Sequence, residues 1–512
     1  MADSTSPATA SPDTATASSD TDAAPKADEN RSTTPVSSRF KDYISSQWAE
    51  RVETLPSPRD VAPSAAARRL RISAMHPGER LIIPAGPAKV RSNDTDYPYR
   101  PHSAFTHLTG WGAEAVPDSV LVMEPSADGH DATLYFRPSA GRDSDEFYAN
   151  SAIGEFWLGP RPSLAHVAAE LALATKPVSA LDRVLEATDA TTRIIREADR
   201  ELTDQVDGRR LLNAQLPEDP ADEIDTDGDT ALLRDVSELR LVKDDWEIAQ
   251  MRLAIAATKL GFDDVIADRQ AITAHPRGER LVEGTFNRRA RAEGNTVGYD
   301  TIAASGSHAC ILHWTTNDGA VVPGDLILID AGVELDSLYT ADITRTLPIN
   351  GTFTAVQRQV YEAVREAADA ALAIVKPGIR FREIHAAAMA VIAEKTAEWG
   401  FLPVSAGESL DPEAQYHRRY MVHGTSHHLG IDVHDCAQAR RDLYLDGILE
   451  PGMVFTIEPG LYFQPDDLTV PEEYRGIGVR IEDNILVTES GAENMSIGIP
   501  RTADDVEAWL AR

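Results

Sequence analysis

The sequence predicts an α+β protein, and three observations carry that reading. Short apolar runs bounded by Gly or Pro, such as residues 325–331 (DLILIDA) and 453–457 (MVFTI), have the length and setting of buried strands. Longer stretches between them carry helix punctuation and helical spacing of apolar residues. The first half instead alternates strand-like and helical stretches, as a smaller α/β domain does.

Residues 1–37 are mostly Ala, Ser, Thr, Asp and Pro, with only Met1 and Val36 as larger apolar side chains. Such a segment buries too little surface to offset its ordering entropy, so it is expected to be a disordered tail. Residues 38–216 form the predicted N-terminal domain, with strands at 119–123 (SVLVM) and 132–136 (ATLYF). Residues 217–234 read as an acidic linker, because 217–229 contain no basic residue. A calcium loop starting at Glu223 would place Arg234 where a bidentate Glu is needed, so the calcium reading fails.

Residues 235–512 form the larger domain. Asp244 and Glu247 have capping-box spacing, followed by Ile248, Met251 and Ile255 on one helical face. Thr354 and Gln357 open a second helix that Lys376-Pro-Gly378 stops, and a third spans 381–399 and ends at Gly400. Helices separate the strand-like runs, which implies an antiparallel sheet backed by helices.

The net charge of −33 disfavours non-specific nucleic-acid or anionic-membrane binding, which needs clustered cations. Only Cys310 and Cys436 occur, too few for a disulfide framework; they are expected as small buried residues, though near enough in motif order to pair. No signal segment or membrane span is evident, so a cytoplasmic location is expected.

The chemistry concentrates at residues 423–435 (HGTSHHLGIDVHD), where four of the 14 histidines fall in one short stretch. Gly424 and Gly430 argue against a continuous helix there. Four acids stand in strand-like settings elsewhere: Asp330, Asp342, Glu458 and Glu482. A buried carboxylate must be paired, protonated or bound to a cation, because an isolated one is very costly. Four carboxylates and one imidazole balance two divalent ions. Oxygen-rich ligation with one nitrogen suits Mn2+ or a similar ion better than a thiolate-type zinc site. Two such ions can hold a shared water that becomes hydroxide near neutral pH, which points to hydrolysis. On spacing alone, His427 and His428 compete as the nitrogen ligand.

The strings ILHWTTN (311–317), DAG (330–332), ADITRT (341–346), HGTSHHLGIDVHD (423–435), TIEPGLY (456–462) and YRGIGVRIED (474–483) closely resemble the pita-bread metallopeptidases. Within them the chain is most similar to aminopeptidase P (Xaa-Pro aminopeptidase), also through DTDYPYRPHSAFTHLTG (94–110) and EFWLG (155–159). The resemblance implies a C-terminal pita-bread fold, in which a curved antiparallel sheet is backed by helices. It also implies an N-terminal creatinase/aminopeptidase-P-like domain.

That resemblance implies roles residue by residue. Asp330 chelates one metal, Asp342 and Glu482 bridge the two, and His427 and Glu458 complete the shell of the other. The ions are expected to be Mn2+, with Co2+ or Zn2+ as alternatives. His434 contacts the scissile carbonyl, while His423 and His313 shape the proline pocket and assist proton transfer. Arg480 orients a bridging or substrate carboxylate, or simply neutralises nearby acids. Tyr299 lines the site or packs in the core. Trp157 reaches the proline pocket, from a neighbouring subunit, or packs as a buried tryptophan; His313 could equally pack beside Trp314. The interval from Asp330 to Asp342 is one residue longer than the common family spacing. A hairpin tip can absorb it; a shift of register would turn Asp342 away.

The implied activity is hydrolysis of the bond between an N-terminal residue and a penultimate proline by a hydroxide bridging two divalent metals. The expected partners are peptides with proline second and further copies of the chain, as a homodimer or homotetramer. Prolidase, which takes Xaa-Pro dipeptides, is the alternative activity. A catalytically dead pita-bread binding module is the alternative of another class.

Overall fold

The computed structural model describes residues 34–93, 95–189, 191–213 and 226–512. The expected tail up to residue 33 and most of the acidic stretch 217–229 lie outside the described residues. The chain divides into two compact units, one comprising the residues before Glu53 with Ser139–Arg161, the other Glu53–Pro138 with Pro162–Arg512.

The smaller unit is organised by aromatic contacts. Its helices Ser38–Ile44, Glu146–Ala149 and Glu155–Leu158 bring Trp48 and Phe156 edge-on to Phe147, at 5.6 and 5.8 Å between ring centroids. The Arg142 guanidinium covers the Trp48 ring at 4.2 Å.

The larger unit holds two sheet systems. The first is a five-stranded sheet in the order Ala174–Pro177, Gly129–Phe136, Val120–Ser126, Arg80–Pro84, Thr192–Ile194, antiparallel at its centre and parallel at both edges. Helices including Ala62–Met75, Ser103–Thr109 and Leu164–Leu171 pack with it around Ile72, Phe105, Trp111 and Leu134. Residues 227–234 correct the linker reading, because they belong to the helix Asp227–Glu238. Its acidic composition conceals Leu232 and Val236, spaced four apart and buried in that same core.

The second system is antiparallel throughout. Leu326–Ala331 lies between Ile302–Ser305 and Ile343–Pro348, while Val454–Ile457 pairs with Asp483–Val487 and Gly460–Tyr462 with Gly478–Arg480. The helices Asp245–Ala267, Gly278–Glu293, Ala355–Ile374 and Phe381–Glu398 cover the strands through a core that includes Phe286, Tyr361, Ile384 and Phe455. The expected capping boxes form at Asp244–Glu247 and Thr354–Gln357, each satisfying two backbone N–H groups that a helix start leaves open.

Asp330 and Asp342 are joined through a hairpin. Leu338 takes φ +69°, a conformation costly for a side chain with a Cβ, but it is fully buried beside Met251 and Tyr339. Glu334 still bridges to Thr340, so the strand register survives on both sides.

Candidate metal centre

Strand register brings the acids to one place. Asp330 stands opposite Thr344, two residues beyond Asp342, and Gly332 lets the strands pass closely. A Cβ at Gly332 would lie 1.7 Å from the Ala341 carbonyl oxygen. Asn484 fixes the Asp342 backbone by accepting from its N–H at 3.2 Å and donating to its carbonyl at 2.5 Å. Glu482 N–H donates to the Thr344 carbonyl at 3.1 Å, which ties the two halves of the sheet together beside the acids.

The carboxylates share few donors. The Tyr299 hydroxyl lies 2.6 Å from Asp330 Oδ1 and 2.5 Å from Asp342 Oδ1, yet it has one proton to donate. Arg480 reaches Asp330 Oδ2 and, through Nε, the Thr344 hydroxyl at 3.1 Å. Thr344 in turn donates to Glu482 Oε2 at 2.8 Å, while Glu482 Oε1 is buried without a hydrogen-bond partner. His427 Nε2 lies 3.3 Å from Asp342 Oδ2 and 3.5 Å from Glu458 Oε1. Ligand atoms of Asp342, His427 and Glu482 all fall within 4.8 Å of one another.

Electrostatics marks the same residues. Burial, reinforced by the neighbouring Asp342, Glu458 and Asp330 charges, pushes the Glu482 carboxyl well above its usual range. Burial raises Glu458 to about 7, and it also raises Asp330 against the pull of Arg480. Burial disfavours charge on His427, but the Asp342 hydrogen bond and the Glu458 charge outweigh it and lift the imidazole to about 9. The cluster is short of positive charge. An unsatisfied buried carboxylate oxygen and an oxygen-rich donor set with one imidazole therefore fit divalent cations. His427 Nδ1 donates to the His428 carbonyl at 3.2 Å, which turns Nε2 towards the carboxylates, where a cation would displace its proton.

The rival His428 turns the other way. Its ring stacks on Phe381 at 4.6 Å in the core, and burial lowers its pKa to about 3. His434 sits beside His427 with ring centroids 4.3 Å apart, and its side chain is exposed. Burial lowers the His434 pKa, and the neighbouring His427 charge adds to it. His313 itself is exposed, and the ring stacked on Trp314, at 3.9 Å, is that of His308. The buried Glu279 carboxylate holds this segment, accepting from Trp314 Nε1 at 2.9 Å and Gly319 N–H at 2.7 Å.

His423 is fixed by Tyr462, a residue that sequence reasoning missed although it closes the string TIEPGLY. Arg480 donates to the Tyr462 hydroxyl at 3.3 Å, and that hydroxyl meets His423 Nε2 at 2.8 Å. His423 Nδ1 donates to the Gly424 carbonyl at 2.6 Å. Burial, with Arg480 nearby, lowers His423 to about 3, so the ring is neutral. Thr344, Asn484 and Glu279 were missed as well.

Trp157 belongs to the smaller unit. It is not a buried core residue: it is 53% exposed, and its Nε1 donates to the Tyr148 carbonyl at 2.8 Å. Cys310 and Cys436 are both buried and free. No helix of the described residues is long and apolar enough to cross a membrane.

Residues 249–489 match Metallopeptidase family M24, and residues 65–195 match the Aminopeptidase P, N-terminal domain. Xaa-Pro aminopeptidase 2 of Streptomyces coelicolor is 49% identical over 479 residues, spanning 93% of this chain and 97% of that protein. The low-pH form of Escherichia coli aminopeptidase P aligns with TM-score 0.73 and 32% identity, covering 88% of this chain and 98% of that one. A zinc-substituted form of the same Escherichia coli enzyme, in complex with product, aligns with TM-score 0.73 at 31% identity over 89% of this chain and 99% of that one. The larger sheet system with its helices is thus the pita-bread fold, preceded by an aminopeptidase P N-terminal domain. The chain belongs to metallopeptidase family M24 and is a metal-dependent aminopeptidase.

Proposed function

We propose that the protein releases the N-terminal residue from peptides whose second residue is proline. The observation that carries this reading is the convergence of Asp330, Asp342, His427, Glu458 and Glu482 beside His423, His434 and His313. We assign the five as the residues that would hold two divalent ions, Mn2+ first and Co2+ or Zn2+ as alternatives. Bound there, the ions would supply Lewis acidity and lower the pKa of water.

The chain's own residues do the rest. The Glu458 carboxylate lies 3.5 Å from His427 Nε2 and 3.6 Å from His423 Nδ1, placed to take a proton from water and return it to the prolyl nitrogen. That return matters because an Xaa-Pro amide has no N–H and must leave as a secondary amine. The exposed His434 ring is free to donate to the scissile carbonyl as charge develops on its oxygen. Neutral His423, held by Tyr462, and His313 form the walls for the proline ring. Arg480 keeps Asp330 in place, and the free substrate amine belongs beside Asp330, which limits cleavage to the first residue.

The proposed boundaries are 38–216 for the N-terminal domain and 235–512 for the catalytic domain. A cytoplasmic setting is supported by two free, buried cysteines. A homodimer or homotetramer is supported by the exposed run Phe156, Trp157 and Leu158, at 63, 53 and 71%. In such an assembly Trp157 of one copy would serve the proline pocket of another.

The test is hydrolysis of an Xaa-Pro-Xaa tripeptide and an Xaa-Pro dipeptide, with Mn2+ and after chelation. Metal-dependent release of the first residue from the tripeptide is expected. Cleavage of the dipeptide alone would make the protein a prolidase. Silence on both with metal bound would make it a binding module.

A further inference from the structure

His434 makes no side-chain hydrogen bond to another described residue, so its position depends on the loop that carries it. Two acids flank it. Asp435 is fixed by Arg240 at 2.9 Å and Lys243 at 3.1 Å. Asp432 is held from the N-terminal domain: Ser103 Oγ donates to Asp432 Oδ1 at 2.5 Å, and Arg100 Nη2 reaches the same atom at 3.2 Å. Arg100 Nη2 also donates to the Ile431 carbonyl at 2.7 Å, while its Nε donates to Glu334 Oε2 at 2.8 Å. Glu334 is buried in the hairpin between Asp330 and Asp342, and its other oxygen accepts from Asn295 at 2.9 Å. One guanidinium therefore joins the hairpin of the acids to the loop of His434. A planar fork with several donors can hold such a junction, whereas a single ammonium cannot.

We propose that Arg100 is a positioning residue that sets His434 against the metal-bearing hairpin through Asp432 and Glu334. This rests on the assignment of His434 to the scissile carbonyl. It also gives the arginine of the string at 94–110 a task in turnover that reaches across from the N-terminal domain.

The test compares wild type, Arg100→Gln, His434→Ala and the double variant on an Xaa-Pro-Xaa tripeptide with Mn2+. Arg100→Gln is expected to lower kcat about 10–100-fold, the loss typical of a misplaced catalytic group, with KM changed less than about threefold. The double variant should be no more than about twofold slower than His434→Ala, because the two act as one unit. Additive losses, or a kcat for Arg100→Gln within about twofold of wild type, overturn the proposal. Mn2+ titration of the metal-free protein should give the same equivalents for Arg100→Gln as for wild type; a lost equivalent would make Arg100 a general support of the centre and overturn it. Hydrogen exchange supplies a readout without turnover: residues 429–435 should exchange faster in Arg100→Gln, and unchanged exchange sinks the clamp. A wild type silent on the tripeptide, with that exchange difference present, would overturn the proposed function and the role in turnover while leaving the clamp itself in place.

Discussion

Two buried groups of charges in this chain solve the same problem in opposite ways. At the start of the helix Asp245–Ala267, Glu247 accepts from the Tyr339 hydroxyl at 2.7 Å and from Asp244 N–H at 2.9 Å, and it faces His107 at 3.4 Å and Arg68 at 3.6 Å. Its neighbour Asp435 has both Arg240 and Lys243. Every acid there has cations supplied by the chain, and both carboxyls are held below their usual range. Asp330, Asp342, Glu458 and Glu482 have for cations only the Arg480 guanidinium and His427, with the Tyr299 and Thr344 hydroxyls as neutral donors. Three of those four carboxyls are pushed up instead. Burial is common to both groups. Only the second has fewer protein cations than acids, so only the second has a use for ions from solution.

The sharpest way to break that comparison is to remove an acid from the second group. Asp330→Ala or Glu458→Ala should lower turnover of an Xaa-Pro-Xaa peptide by about 10³-fold or more, as loss of a group acting in a concerted centre does. Glu458→Ala should not melt at lower temperature in the metal-free state, because it relieves repulsion there. Asp330→Ala relieves repulsion but also strips the buried Arg480 of its partner, so its melting temperature should fall. Metal added at about 100 times its Kd should stabilise wild type by about 2.7 kcal/mol, and the variants less. A variant with near-wild-type activity would remove that residue from the ligand set; a metal-free variant that unfolds would place it among the structural acids.

Removing an acid from the first group should do the reverse. Glu247→Gln leaves His107 without its acid and Arg68 with Asp244 alone, and should cost about 3 kcal/mol, with Mn2+ binding unchanged. The pH dependence has a definite sign. Burial opposes ionisation of Glu247, but His107, Arg68 and Lys243 outweigh it and hold the carboxyl at about 2. The unfolded chain, with a Glu pKa of about 4.3, then binds more protons than the native one between those values. Stability from Glu247 is therefore fully present above about pH 4.3 and is lost as pH falls towards 2. Denaturant midpoints followed over that range should fall more steeply for wild type than for Glu247→Gln. Parallel profiles would show that the charge at Glu247 is not what the cluster stabilises.

How much of this was legible in sequence depended on the distance over which each signal acts. Asp330, Asp342, Glu458 and Glu482 each stand in a short apolar run, so their burial and shortage of partners could be inferred locally. The helix starts at Asp244 and Thr354 were equally local. The choice between His427 and His428 was not, because adjacent side chains face opposite ways and Phe381, forty-odd positions earlier, claims the second ring. Tyr462, Thr344 and Asn484 act through strand pairings and contacts between distant segments, which no local pattern reveals. The helix Asp227–Glu238 was hidden by its own acids, although Leu232 and Val236 carried the spacing. Trp157 looked like a core residue from its type alone, and its exposure came only with the fold.

The finest test of the comparison is Tyr299→Phe, which removes a donor from the cation-poor group and leaves its charges intact. The hydroxyl spans Asp330 and Asp342, so it sets their separation while supplying a single proton to two acceptors. If metal ions carry most of the compensation, the loss should be modest: about tenfold in metal affinity, the lower end for a residue that orients ligands, with kcat at saturating Mn2+ changed less. A fall in kcat as large as that of Asp330→Ala would mean that the hydroxyl acts on the substrate directly. No change in metal affinity would mean that the hairpin alone, pinned at Leu338 and Glu334, sets the spacing of the two acids.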